Sequence, residues 1–256
     1  MVIEMKIVKK IFMYLIVVII VLLIGFLFMK IFKFDKKPNI EYPEVSEEKI
    51  AEIYKLFPSQ NYNPGASFYA ESYLTSSNVG YSTKSLVAYN YIERTNAFKF
   101  EKITNEDASL LSEYKLLYKI DKDYFKEIVT YIFGESNYYI LDFKIDETKS
   151  AKVKDEYKYV YIYETNNEID NDIIYYKGLE SYTVENGNES IKIIEYFLKC
   201  NKTTRVCYND ENNNQVSNIT YSENLNIKDN MDKVKKYEHK FSYINNHYEY
   251  VSTRVV

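Results

Sequence analysis

The segment Tyr157-Lys158-Tyr159-Val160-Tyr161-Ile162-Tyr163-Glu164 alternates with a period of two. Strand side chains point to opposite faces in turn, so Tyr157, Tyr159, Tyr161 and Tyr163 share one face and Val160 and Ile162 the other. Tyrosines and β-branched residues suit a pleated, half-covered surface. The segment therefore predicts a strand with two faces to account for. Either the tyrosine row is a binding surface, or it is the core face of a sheet lying under helices. In the second case Val160 and Ile162 need a cover of their own or stay exposed.

After Gly134 the same period predicts strands at 138–145, 173–182, 190–199, 203–209, 236–244 and 248–255. They are separated by Asn166-Asn167, Asn186-Gly187, Asn212-Asn213-Asn214 and Asn245-Asn246. Asparagine and glycine tolerate the left-handed backbone of such turns. With Asn245 and Asn246 as a two-residue loop, Ile244 faces His247, Tyr243 faces Tyr248 and Phe241 faces Tyr250. The four aromatic rings then share one face, as cross-strand packing favours.

Toward the N-terminus the period changes to that of helices. Ser46 caps a segment with Ile50, Ile53, Tyr54 and Phe57 on one stripe, ended by Pro58. Ser82 or Thr83 starts a second helix running to Glu93. A third starts at Asn105 or Asp107, with Leu110, Leu111, Tyr114, Leu117 and Tyr118 inward. Asp121 caps a fourth, whose apolar set is Phe125, Ile128, Val129 and Ile132 and whose C-cap is Gly134. A short helix around 68–74 is expected within the loop-rich stretch 59–81. The expected fold is α+β: about four helices (45–134), then an antiparallel meander (135–256) packed on them in the same domain.

Ahead of this domain, residues 11–29 read IFMYLIVVIIVLLIGFLFM, without one charge. As a helix this run is roughly 28 Å long, the thickness of bilayer hydrocarbon. It exceeds the usual apolar core of a signal peptide, and no small-residue cleavage site follows it. The expectation is a basic tail (1–10), a transmembrane anchor (11–29) and a short juxtamembrane connector (30–44), with membrane lipid as a partner. Lysines flank the run on both sides, so the positive-inside rule does not orient it. A first apolar helix behind a short basic tail favours export of the C-terminal domain.

The first 37 residues carry seven lysines and two acidic residues, net +5; the rest carries 26 basic and 35 acidic residues, net −9. A negative domain does not suit nucleic-acid phosphates, and no nucleic-acid partner is expected. The chain has 29 Tyr, 14 Phe and no Trp, a bias that AT-rich codons alone can produce. Its two cysteines, Cys200 and Cys207, enclose six residues, a spacing that fits a bridged hairpin in an oxidising compartment.

No motif carries a chemistry. His239 and His247 fall on different strands and rows of the proposed hairpin, so no joint metal site is expected. Asp142 and Asp146 share a strand face, but no acidic cluster has the spacing of a calcium loop. Ser46-Glu47-Glu48-Lys49 and Ser112-Glu113-Tyr114-Lys115 match a loose Ser-x-x-Lys pattern without its companion motifs. No catalytic residue, cofactor or metal is therefore assigned. In overall style the chain resembles small surface-attached proteins of AT-rich Gram-positive bacteria, though no motif ties it to a family. The expected role is a non-enzymatic, single-pass module outside the cytoplasm that binds a membrane or envelope protein or envelope component, or scaffolds a membrane complex. A cytoplasm-facing adaptor and an enzyme acting on envelope polymers are the alternatives.

Overall fold

The computed structural model describes residues 41–57, 67–69, 73–95, 99–134, 139–146, 148–165 and 172–256. The chain divides into two units, Met1–Glu41 and Tyr42–Val256, and all elements below belong to the second. The apolar run 11–29, its basic tail and the connector to residue 40 lie outside the described residues. Among the described residues no helix is long and apolar enough to cross a membrane.

The described residues form an α+β fold with four α-helices and two antiparallel sheets. Helix α1 spans Glu47–Tyr54, capped by the Ser46 side chain as expected. A 3₁₀ turn, Ser67–Tyr69, leads toward strand β1, Tyr73–Thr75. Helix α2, Tyr81–Arg94, starts from Gly80 rather than from Ser82 or Thr83. The Ser82 hydroxyl donates instead to the Asp142 carbonyl. Strand β2 is Phe100–Glu101, α3 is Asn105–Leu110, β3 is Lys115–Asp121 and α4 is Lys122–Phe133. Asp121 caps α4 through two backbone N–H groups, and Gly134 ends it with φ 81°, a left-handed value that favours glycine.

The third predicted helix is half wrong. It stops at Leu110, and 115–121 is a strand. Tyr118 and Ile120 carry a period of two while Leu110, Leu111, Tyr114, Leu117 and Tyr118 carry a helical spacing, and pairing with the apolar strand beyond decides between them, with a bulge between Leu116 and Tyr118. That partner is β6, Tyr159–Glu164, flanked by β5, Lys149–Lys152, and β4, Phe143–Lys144. The five-stranded sheet runs β2-β3-β6-β5-β4. Helices and strands therefore interleave, and the expected single meander is replaced by two sheets.

The larger sheet collects β7 (Ile173–Glu185), β8 (Ser190–Asn201), β9 (Val206–Tyr208), β10 (Val216–Thr220), β11 (Lys235–Ile244) and β12 (His247–Val255). Its order is β1-β12-β11-β8-β9-β10, with β7 along the far edge of β8. The last hairpin has the predicted register, Ile244 opposite His247, Tyr243 opposite Tyr248 and Phe241 opposite Tyr250. Asn245 (φ 51°) and Asn246 (φ 67°) supply its left-handed loop. Tyr243–Tyr248 and Phe241–Tyr250 meet at 5.2 and 5.8 Å between ring centres.

One large core joins α1, α2, α4 and both sheets, and α4 packs on β12 as well as on β3 and β6. Val160 and Ile162, both fully buried, belong to it. The tyrosine face of β6 has a cover of its own: Tyr157 and Tyr161 are buried against Leu111, with Ile103, Tyr114 and Leu116 around them. Both faces of the strand are thus enclosed. At the far end of the large sheet, Leu198, Cys200, Cys207, Ile219, Ile227 and Val234 make a third cluster.

Under α3 a buried ion pair pins this second cover. Asp107 accepts from Lys119 Nζ at 2.7 Å, Tyr161 OH at 2.8 Å and the Thr104 backbone N–H at 2.8 Å. Burial opposes the charge, but these bonds outweigh it and hold the carboxyl well below the usual carboxylate range. Asp107→Asn leaves the buried Lys119 ammonium without a counter-charge. It should cost about 3 kcal/mol in urea-unfolding stability with an unchanged m-value.

Candidate functional site

Period two on β8 puts Ile191, Ile193, Glu195 and Phe197 on one face, so a carboxylate sits in an otherwise apolar row. Glu195 has no solvent exposure. Its Oε1 accepts from Tyr54 OH of α1 at 2.6 Å, and its Oε2 from Tyr69 OH of the 3₁₀ turn at 2.5 Å. Lys177 Nζ on β7 lies 3.3 Å from Oε1, and His239 Nε2 on β11 lies 3.2 Å from Oε2. His239 Nδ1 stands 2.7 Å from Thr253 Oγ1, which also accepts from Tyr250 OH. With Nε2 carrying the proton, every partner is matched: Tyr250 donates to Thr253, Thr253 to His239, and His239 to Glu195.

Burial drives the His239 pKa down, which keeps the ring neutral, although Glu195 pulls the other way. Burial pushes Glu195 up, but Lys177, His239 and Tyr54 outweigh it and bring its pKa down to about 2. A hydroxyl, an imidazole and a carboxylate in line are also the parts of a nucleophilic triad. Here Thr253, His239 and Glu195 are all at or below 1 % exposure, so no substrate reaches the hydroxyl. The cluster acts as a polar bolt within the core.

An accessible candidate among the described residues is an open groove of about 530 Å³ between α4 and the tip of the β11–β12 hairpin. Asp123, Lys126, Glu127, Thr130 and Tyr131 come from the helix face opposite Phe125, Val129 and Ile132, while Asn245, His247 and Glu249 come from the hairpin. The Tyr131 and His247 rings stack at 4.2 Å and 13°. Glu249 is buried, and its Oε1 accepts from Asn245 Nδ2 at 3.1 Å. His247 Nδ1 lies 3.1 Å from the Asn245 carbonyl, which only accepts, so this nitrogen bears the proton. His247 Nε2 lies 3.4 Å from Glu249 Oε1 and is buried without a hydrogen bond.

A further carboxylate, Glu211, sits in the turn after β9. Its Oε2 is buried without a hydrogen bond, and Lys199 is 3.9 Å from Oε1. Burial pushes its pKa up to about 7 against the pull of Lys199. Among the described residues no cluster of three or more His, Cys, Asp or Glu side chains is arranged to hold a metal ion.

Of the residues singled out from sequence, Cys200 and Cys207 are joined in a disulfide across β8 and β9, with Cα atoms 4.0 Å apart. In the tyrosine row, Tyr157 and Tyr161 are buried, and Tyr159 and Tyr163 are half-buried. Lys119 Nζ sits 4.0 Å over the Tyr159 ring, and Tyr114 packs on Tyr163 at 4.4 Å. The histidines are apart, as their strand positions implied: His239 lies in the core network and His247 in the groove. Sequence reading missed the Glu195 network and the groove. Comparison with protein-family models, curated proteins and solved structures returns no match.

Two outcomes follow for stability. Glu211 has a raised folded pKa, so its proton-linked contribution is full below pH 4.5 and is lost as pH rises to about 7. Glu211→Gln should therefore gain on the native chain across that window, by up to about 3 kcal/mol above it, in denaturant titrations at stepped pH. Gly134→Ala should destabilise the helix end and open the groove. Its Cβ would fall 2.5 Å from Glu249 Oε2 at a left-handed φ, and thermal melting together with the His247 ring resonances would read both effects.

Proposed function

We propose that this chain is a single-pass, membrane-anchored binding module whose folded domain faces an oxidising compartment, where it engages a protein of the membrane or envelope. The observation that carries this reading is the Cys200–Cys207 bridge. Both sulfurs lie in a fully buried cluster at the end of the large sheet, where the bridge ties β9 to β8 beyond the point at which β11 stops pairing. Structural disulfides of this kind persist outside the reducing cytoplasm. The uncharged run 11–29 supports the anchor, because its length matches the hydrocarbon layer.

Binding rather than catalysis is supported by where the polar chemistry lies. The one hydroxyl–imidazole–carboxylate line described above is sealed in the core, while the accessible groove is shallow and lined by mixed charges. A net charge of −9 over residues 38–256 argues against a nucleic-acid partner.

Protease added to intact cells, followed by carbonate extraction of the membranes, tests this reading. The expected result is cleavage of the domain from outside, retention of the N-terminal fragment in the membrane pellet, and no maleimide labelling of Cys200 or Cys207 until a reductant is added to unfolded protein. Protection from external protease with two labelled thiols would instead place the domain in the cytoplasm.

A further inference from the structure

We propose that the turn after β9 is a proton-operated latch on the Ser67–Tyr69 turn: it stays closed while Glu211 carries a proton and lets go when Glu211 is ionised. The joint between the two turns is made by few bonds. The Glu211 backbone N–H donates to the Tyr69 carbonyl at 3.2 Å. The Tyr237 hydroxyl on β11 stands 3.0 Å from that same carbonyl and 3.1 Å from the Asn209 carbonyl, so its one proton is shared between them. Tyr69 is held in the core by its own bond to Glu195, whereas Asn212, Asn213 and Asn214 beyond Glu211 are exposed. The side of the joint that moves is therefore the one carrying Glu211.

The surroundings of the Glu211 carboxyl explain why charge opens it. The side chain is 11 % exposed, and Oε2 is buried without a hydrogen bond. Asn209 Oδ1 is a second buried acceptor of this turn with no donor. The groups facing Glu211 are Lys199 on β8, Tyr175 on β7, Tyr237 on β11 and Asp210 beside it. Lys199 Nζ donates to the Glu211 carbonyl at 3.1 Å, which leaves it 3.9 Å from Oε1, beyond a hydrogen bond. The Tyr175 hydroxyl reaches Oε1 at 3.5 Å, a long contact. An ionised Glu211 is thus desolvated without full compensation, next to a like charge on Asp210. A neutral carboxyl avoids that cost, and its O–H adds a donor to a turn short of donors. The rise of its pKa to about 7 has the same origin. Opening returns the carboxylate to water, so the closed form binds the proton more tightly than the open form. By linkage the joint is tightest below the ordinary value of 4.5, loosens as pH rises, and is loosest from about 7 upward.

Amide hydrogen exchange on the full-length chain in detergent micelles, stepped from about pH 4 to about pH 9 and corrected for the intrinsic rate, tests the latch. The Glu211 N–H should lose protection about tenfold per pH unit from 4.5 to about 7, on the order of 100-fold in all, and then level off. Its exchange should not respond to low urea, because a local opening exposes little surface. The Ile193 amide, on a strand paired on both sides, should exchange more slowly and respond to urea. E211Q should hold the Glu211-position amide at its low-pH protection throughout. K199M, which removes the facing ammonium, should carry the loss beyond pH 7. Native protection that is flat with pH, a pH dependence that survives in E211Q, a window that K199M leaves in place, or Glu211 exchange as slow and urea-sensitive as that of Ile193 would overturn the proposal.

Discussion

The Glu195 carboxylate is the point on which the large sheet and its covering helices depend. It has no access to water, yet it stays ionised, because Lys177 lies beside it and Tyr54, Tyr69 and His239 are bonded to it. Those partners come from α1, the 3₁₀ turn, β7 and β11, and through His239 the network reaches Thr253 and Tyr250 on β12. An apolar core would tolerate small slides of α1 over the sheet. A buried charge does not, since each partner that moves away leaves part of its desolvation uncompensated. The cluster thus fixes where α1 and the Tyr69 turn sit, and the turn after α1 supplies Phe57, which packs on His239 at 4.1 Å.

The small sheet solves a different problem. Its central strand β6 presents apolar residues to the main core and tyrosines to the opposite side, and both sides are enclosed. Tyrosine suits the second side, because its ring can be buried while its hydroxyl finds a polar partner, as Tyr161 does on Asp107. The Asp107–Lys119 pair then serves two ends at once: it satisfies that hydroxyl and it completes the capping box of α3.

Much of this was legible in the residues. Alternation in 190–199 and 236–244, the Asn-Asn loop, and Asp121 with Gly134 at the ends of α4 each lead directly to the observed element, because local signal and tertiary partner agree there. The Glu195 network left a readable trace, since Glu195 and His239 occupy the apolar parity of their strands. Taking each strand separately hides that these two odd residues are neighbours. Strand β3 was lost because 115–121 satisfies two periods, and only its partner chooses between them. Strands β1, β2, β5 and β10 are two to five residues long, too short to show a period, and exist through pairing alone, while β4 is a two-residue piece of the strand expected at 138–145. The groove has no sequence signature at all: residues 123–131 and 245–249 meet because α4 crosses the end of the hairpin.

Strand β7 has thirteen residues, is paired on one side only among the described residues, and exposes Leu179, Glu180, Ser181, Tyr182 and Thr183. So long a free ladder invites strand-on-strand fibril growth. The bulge between Leu179 and Ser181 breaks its phase near the middle, and the Glu180–Lys236 contact sets charges beside the break. A foreign strand can therefore dock in step with one half of β7 and falls out of step with the other, which works against edge-to-edge pairing of two copies.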